Sequence, residues 1–281
     1  MIILIKAVIT AAGKGTRLLP LTKSLPKEML PIFSTKNKNK LLIPLLQHIF
    51  EDLYKQNFRN YCFVVGREQR SIKDHFISDN LHLKEIDRNY QLILKNFYKK
   101  VENSNLMWIN QKYPLGFGDA VRRTEKFIGS DDMILHAGDF TVLGYSKHPI
   151  SRMINIIKNN SELSCVLLCK KVKDTKRYGV PQIKKISNTL FEVQGVEEKP
   201  SKPKSNYAIM PLYYFKPIIF KYLKKIRKGK GGEFQLTDAI QKLIEGGGKV
   251  AAIKLLQREE EIDIGTPKLY KKSLDFTYAI K

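Results

Sequence analysis

The sequence predicts an α/β fold wound on both faces of a sheet, and three observations predict it. Short β-rich runs alternate with stretches of helical period. The first run, Ile2 to Thr10, is apolar in the manner of a strand buried on both faces. Several runs also end in loops that carry glycine, lysine or aspartate, which is where open α/β sheets bind ligands.

The first of those loops is Ala11 to Pro31, AAGKGTRLLPLTKSLPKEMLP. Gly13 and Gly15 allow tight turns whose N–H groups face anionic oxygens, and Arg17, Lys23 and Lys27 add positive charge, so the stretch suits a polyphosphate. An ordinary glycine turn with solvated lysines is the alternative. Two familiar phosphate loops do not match. A Walker loop would need glycine where Val8 stands and serine or threonine after Lys14, and a dinucleotide fingerprint would need a third glycine at Leu18.

Phe33 to Lys40 reads as a polar, lysine-rich insertion, after which Leu42, Leu45, Leu46, Ile49, Phe50 and Leu53 recur at helical spacing as a first crossover helix. Tyr61 to Val65 is a short strand ending at Gly66, and Gln69 to Phe76 is a second helix. Leu81 to Glu102 carries Ile86, Tyr90, Ile93, Leu94 and Phe97 among charges, as an amphipathic surface helix does. Leu106 to Asn110 is the next strand. It runs through Gln111 and Gly116 into a helix over Ala120 to Phe127. Gln111 can offer a donor and an acceptor to a base edge, and Gly116 leaves room for a flat ring.

Asp132 to Ala137 is a further apolar strand, and Asp139 just beyond it is placed to hold Mg²⁺ or to cap a turn. His136 has no second histidine at a ligand spacing, so the five histidines read as non-metal residues. From Leu163 strands dominate: LSCVLLCK, Pro181 to Ile186, Leu190 to Val196 and Tyr207 to Phe215. They extend the first sheet or form an antiparallel flap on it. Tyr178-Gly179-Val180 permits close backbone approach, and Glu198-Lys199 before Pro200 is either a sugar and phosphate contact or a charged turn. Pro217 to Arg227 and Phe234 to Glu245 read as helices, Val250 to Leu256 as a strand, and Asp263 stands before the final helix.

With 281 residues and 43% hydrophobic content the chain can bury a substantial core. The first apolar run is short and leads straight into Gly13 and Arg17, so neither a membrane span nor a cleaved signal is expected, and a cytoplasmic protein is. Cys62, Cys165 and Cys169 lie in apolar contexts and are expected to be reduced and structural. The net charge of +23 invites a nucleic-acid reading, but the basic residues are spread along the chain with no basic tail or arginine-rich helix. Neither a nucleic acid nor a membrane is expected as partner, and the positive potential would draw in phosphorylated substrates.

In their order, AAGKGTRLLPLTKSLPKEMLP, VVGREQRSIKDHF, NQKYPLGFGDAV, LHAGD, RYGV, VEEKP, EFQLTDAI and DIGTPKLY resemble the sugar-phosphate nucleotidyltransferases over most of the chain. TKSLPKEMLP is more similar to the uridylyl-transferring members than to the thymidylyl-transferring ones. The resemblance implies one domain over 1–281, with a nucleotide-binding part over about 1–145 and a sugar-binding and C-terminal part over about 146–281. It implies a Rossmann-like three-layer fold with a mixed central sheet and added β structure over the sugar site. By the same resemblance, Ala12, Gly13, Gln111 and Gly116 would hold uracil and ribose, with Glu28 nearby, and Thr16, Arg17 and Lys27 would meet the triphosphate. Gly179 and Glu198 would contact the hexose, Lys199 its phosphate, and Asp139 with Asp263 would hold Mg²⁺. The implied reaction is uridylyl transfer from UTP to α-D-glucose 1-phosphate, with Arg17, Lys27 and Lys199 as fixed countercharges, in a homo-oligomer that is a dimer or tetramer. A transferase for dTTP or another hexose 1-phosphate, and a non-catalytic nucleotide-sugar sensor, are the alternatives. The chain departs from the pattern in LHAGD, where many relatives carry another acid or a proline in place of Gly138, in the Phe33 to Lys40 insertion, and in the additional Glu197.

Overall fold

The computed structural model describes residues 4–36, 39–66, 70–79 and 86–280. The first apolar run becomes strand β1 (Ile5–Ala11), buried from Ala7 onward; residues 2–3 of the predicted run lie outside the described residues. Three one-turn 3₁₀ segments, Thr16–Leu18, Leu21–Lys23 and Lys27–Met29, shape the loop that follows. The insertion then takes a form the sequence did not suggest. It is most of an antiparallel ribbon, β2 (Pro31–Lys36) and β3 (Asn39–Pro44), with 37–38 outside the described residues. The ribbon lies against the last helix, where the Phe33 N–H donates to Thr277 Oγ1 at 3.2 Å. Leu42 is an exposed residue of β3, so helix α1 (Leu45–Lys55) starts later than its apolar spacing suggests. Leu42 and Leu45 stand three apart by the accident of a strand running into a helix.

Strand β4 (Asn60–Gly66), helices α2 (Arg70–His75) and α3 (Arg88–Glu102) and strand β5 (Asn105–Gln111) keep the predicted order. The start of the helix predicted from Gln69, the first five residues of the one predicted from Leu81, and 67–69 of VVGREQRSIKDHF lie outside the described residues. The single helix predicted over Ala120 to Phe127 is two, α4 (Phe117–Arg122) and α5 (Glu125–Ile128). Thr124 lies between them, its hydroxyl donating back to the Val121 carbonyl at 2.8 Å, a competition with helix continuation that threonine favours.

Strand β6 (Asp132–Ala137) is buried along its length. Strand β7 (Phe140–Leu143) and helix α6 (Pro149–Asn159) have no counterpart in the sequence reading. Then come β8 (Leu163–Lys171), β9 (Gly179–Lys185), β10 (Leu190–Glu198) and β11 (Tyr207–Phe215), followed by α7 (Ile219–Leu223), α8 (Leu236–Glu245), β12 (Lys249–Lys254), β13 (Glu260–Asp263) and α9 (Pro267–Ala279).

Among the described residues, nine strands form one mixed sheet in the order β5-β4-β1-β6-β11-β8-β12-β10-β9. The strands from Leu163 onward therefore extend the first sheet. β5, β4, β1 and β6 run parallel, so their carboxyl ends share one edge, and β11 joins β6 antiparallel. Alternation along β1 fills both sides. Ala7 and Ile9 join Leu46, Phe50, Phe97 and Met153 on one face, and Val8 joins Ala120, Leu223 and Ile240 on the other. The result is three layers, helix on sheet on helix. Cys62, Cys165 and Cys169 are buried in β4 and β8, and burial pushes the Cys62 thiol up to about 12. No described helix is long and apolar enough to cross a membrane.

Candidate active site

The shared edge of the parallel strands determines which side chains meet. β1 releases the glycine loop at Ala11, β5 ends on Gln111, and β6 ends just before Asp139. Between them lies a cavity of about 550 Å³ lined by Ala12, Gly13, Thr16, Arg17, Lys27, Glu28, Gln111, Gly116 and Asp139, with Phe117, Ala120 and Pro211 as apolar wall. The structure thus gathers residues far apart in sequence, Lys27 and Asp139 being 112 positions apart. Lys14 and Glu233 also line it, and the sequence reading singled out neither for a role.

At its floor Lys27 Nζ makes an ion pair with Asp139 Oδ2. Burial works against the Lys27 charge, but the Asp139 and Glu28 carboxylates beside it outweigh that, and its pKa sits above the ordinary lysine value. Burial likewise opposes the Asp139 charge and Lys27 overcomes it, holding that carboxyl below its usual range.

Glu28 differs. It is 1% exposed, its Oε2 has no hydrogen-bond partner, and burial pushes its pKa up to about 7. An unfolded glutamate ionises near 4.5, so between pH 4.5 and 7 the folded state holds the extra proton and stability falls as pH rises. Glu28→Gln removes that ionisation. Urea titrations of the substrate-free protein at pH 5 and pH 8 should then differ by about 3 kcal/mol less than in the wild type, at roughly 1.36 kcal/mol per pKa unit. An unchanged difference would show that Glu28 ionises without penalty.

Two glycines in this edge are steric requirements. Gly116 has φ +111°, and a Cβ there would lie 2.7 Å from the Phe234 carbonyl oxygen. At Gly138 a Cβ would lie 2.9 Å from the Thr10 carbonyl oxygen and 3.0 Å from Glu28 Cγ. The glycine of LHAGD thus lets the chain turn past β1 and deliver Asp139.

Asp263 does not line this cavity, but a pairing the sequence did not disclose brings its strand alongside Asp139. β13 lies antiparallel to β7 with Asp263 opposite Phe140, and the Ile264 N–H donates to the Asp139 carbonyl at 3.2 Å. Asp263 Oδ1 accepts the Gly265 N–H at 2.6 Å, and Gly265 lines the cavity beside Arg17. Burial first, and the Asp139 charge with it, raise the Asp263 pKa.

Gly179, Glu198 and Lys199 form a second group, absent from the cavity wall. Glu198 pairs with Gly179 in the β9–β10 ladder, its Oε2 accepts from Thr237 Oγ1 at 2.7 Å, and Oε1 lies 3.4 Å from Lys199 Nζ. Lys199 has φ +47°, rare for a residue with a Cβ, while its N–H donates to the Tyr178 carbonyl at 2.9 Å. The segment before α8 ties the two groups together. Phe234 accepts from the Gly118 N–H and donates to the Leu115 carbonyl, both at 2.8 Å, and Lys230 Nζ donates to the Lys199 carbonyl. Thr237 and Asp119, which carries the Gln111 amide, had no role in the sequence reading, because each acts through a tertiary contact that spacing does not reveal.

A sequence model of the family described as nucleotidyl transferase matches residues 6–277. A UTP–glucose-1-phosphate uridylyltransferase of Bacillus subtilis is 36% identical over 245 residues, 85% of this chain and 80% of that protein. A crystal structure of an apo UDP-glucose pyrophosphorylase superposes with a TM-score of 0.87 at 26% identity, covering 98% of both chains. A UDP-glucose pyrophosphorylase complexed with UDP-glucose superposes at 0.85 and 26% identity, covering 98% of this chain and 99% of that one.

Proposed function

Since the chain belongs to the nucleotidyl transferase family, we propose that it transfers the uridylyl group of UTP to α-D-glucose 1-phosphate, giving UDP-glucose and pyrophosphate. The observation that carries the reading is the cavity in which the glycine loop, Gln111 and the Lys27–Asp139 pair converge. Ala12, Gly13, Gln111 and Gly116 take the base and ribose with Glu28 beside them. Thr16, Arg17 and Lys27 take the triphosphate; Gly179 and Glu198 take the hexose and Lys199 its phosphate.

A phosphate oxygen of glucose 1-phosphate attacks the α-phosphorus of UTP, and the bond to pyrophosphate breaks in line. The attacking oxygen is already anionic, so no general base and no protein nucleophile are needed. The obstacle is repulsion between anions and their alignment, which Arg17, Lys27 and Lys199 counter as fixed positive charges.

Asp139 and Asp263 suit Mg²⁺. The Asp139 charge raises the cost of ionising Asp263, which a cation would offset, and each carboxylate keeps a second oxygen beyond those held by Lys27 and the Gly265 N–H. Mg²⁺ takes one or two protein carboxylates and completes its shell with substrate phosphates and water. Bound there, it would neutralise phosphate charge and align the reacting groups.

The nucleotide end comes from about 1–145 and the sugar end from about 146–281, in a cytoplasmic homo-oligomer. A panel of UTP, dTTP, CTP and ATP against several hexose 1-phosphates, read as pyrophosphate release, tests the reaction. Turnover only with a pair other than UTP and glucose 1-phosphate would sink it.

A further inference from the structure

Gln111 sits in the cavity wall and is only 4% exposed, and what holds it is a carboxylate that the reaction itself does not use. Asp119, in the first turn of α4, is 0% exposed. Its Oδ2 accepts from Gln111 Nε2 at 2.9 Å and from Arg123 Nε at 2.8 Å, and its Oδ1 accepts from Arg122 at 2.8 Å. The same Gln111 Nε2 lies 3.2 Å from the Gly116 carbonyl oxygen. Burial opposes the Asp119 charge, but these hydrogen bonds and the two guanidinium groups prevail, so the carboxyl is held below its usual range and stays an acceptor only.

Both neighbours of the Gln111 nitrogen are therefore oxygens that accept and cannot donate. Turning the amide over would set its oxygen against a carboxylate and a carbonyl in a buried place. We propose that Asp119 is a positioning residue for base selection, locking the Gln111 amide so that only its carbonyl oxygen faces the base. The proposal rests on reading this cavity as the nucleotide site. An amide oxygen in that position accepts from a ring N–H, as the imide edge of uracil or thymine offers. Cytosine places a lone pair at the same ring nitrogen and is rejected.

Asp119→Ala tests the lock. Arg122 and Arg123, 37% and 33% exposed, turn to water, and the Gln111 amide keeps only the longer contact with the Gly116 carbonyl, so it is free to turn over and set its nitrogen toward the base. We expect kcat/KM for UTP to fall about tenfold or more while that for CTP holds or rises, so the ratio drops by at least that factor. A merely structural role would lower both together, and an unchanged ratio or a proportional loss overturns the proposal. Should the variant fail to fold, the wild type decides with 3-methyl-UTP, which lacks the ring N–H. Binding tenfold or more weaker than UTP supports the lock, and equal binding overturns it. Equilibrium binding of UTP and CTP is measured beside turnover, so a wild type that prefers UTP without turning it over sinks the transfer reading and leaves this one standing.

Discussion

Lys27→Met should lower uridylyl transfer about 10²–10³-fold, the scale on which removing one preorganised charge or donor acts in a water-poor site. Lys27 is the cation between two carboxylates, paired with Asp139 and adding its field to Glu28, and it faces the cavity where the triphosphate would lie. Methionine keeps the length and apolar contacts of the stem and deletes only the ammonium. Two effects then add. Phosphate charge that builds at the leaving pyrophosphate loses its counter-ion, and Asp139 loses the partner that keeps its carboxyl ionised. Because both partners retain some solvent contact, at 14% and 22% exposure, Asp139 can take up a proton and the chain should still fold. Steady-state pyrophosphate release at saturating substrates, with circular dichroism as the folding control, checks this. A variant within tenfold of wild type would move Lys27 out of the chemistry.

The parts of the molecule that were legible in the sequence are those fixed by local pattern. The buried strands at Ile5–Ala11 and Asp132–Ala137 are apolar runs, and the polar residues at or just beyond strand ends, Gln111 and Asp139, are visible as breaks in hydrophobicity. Two kinds of feature were not legible. A strand that runs directly into a helix, as at Leu42, shares its spacing with the helix that follows. Contacts made only on folding leave no period at all. β7 and β13 are four residues each and bring Asp263 to Asp139 by pairing across the chain, and Asp119 looks like a helix N-terminal acid until its side chain is seen under Gln111. The order of the motifs carried the resemblance; the geometry supplies the reasons, such as the collision a side chain at Gly138 would make with the Thr10 carbonyl.

Lys199→Ala is the complementary test, because the proposed contact of Lys199 is with the other substrate. Turnover should fall on the order of 10²-fold and the KM for glucose 1-phosphate should rise, while equilibrium binding of UTP stays as it is. The side chain is 47% exposed and its contact with Glu198 Oε1 is a loose 3.4 Å, so little folded structure depends on it. Its backbone holds φ +47° with the N–H bonded to the Tyr178 carbonyl and the carbonyl bonded to Lys230. That is a conformation costing of order 1 kcal/mol in a residue with a Cβ, maintained by the bonds on either side. Alanine keeps the same backbone demand, so thermal unfolding should be close to that of wild type. Glu198 stays fixed by the Thr237 hydroxyl when Lys199 is truncated, so the hexose contact proposed for it should survive the loss of the phosphate contact proposed for Lys199. The split between an affected sugar phosphate and an unaffected nucleotide is what distinguishes a lost countercharge from a distorted edge of the sheet. Near-normal turnover with glucose 1-phosphate would remove Lys199 from the site, and equal weakening of both substrates would make it a structural residue.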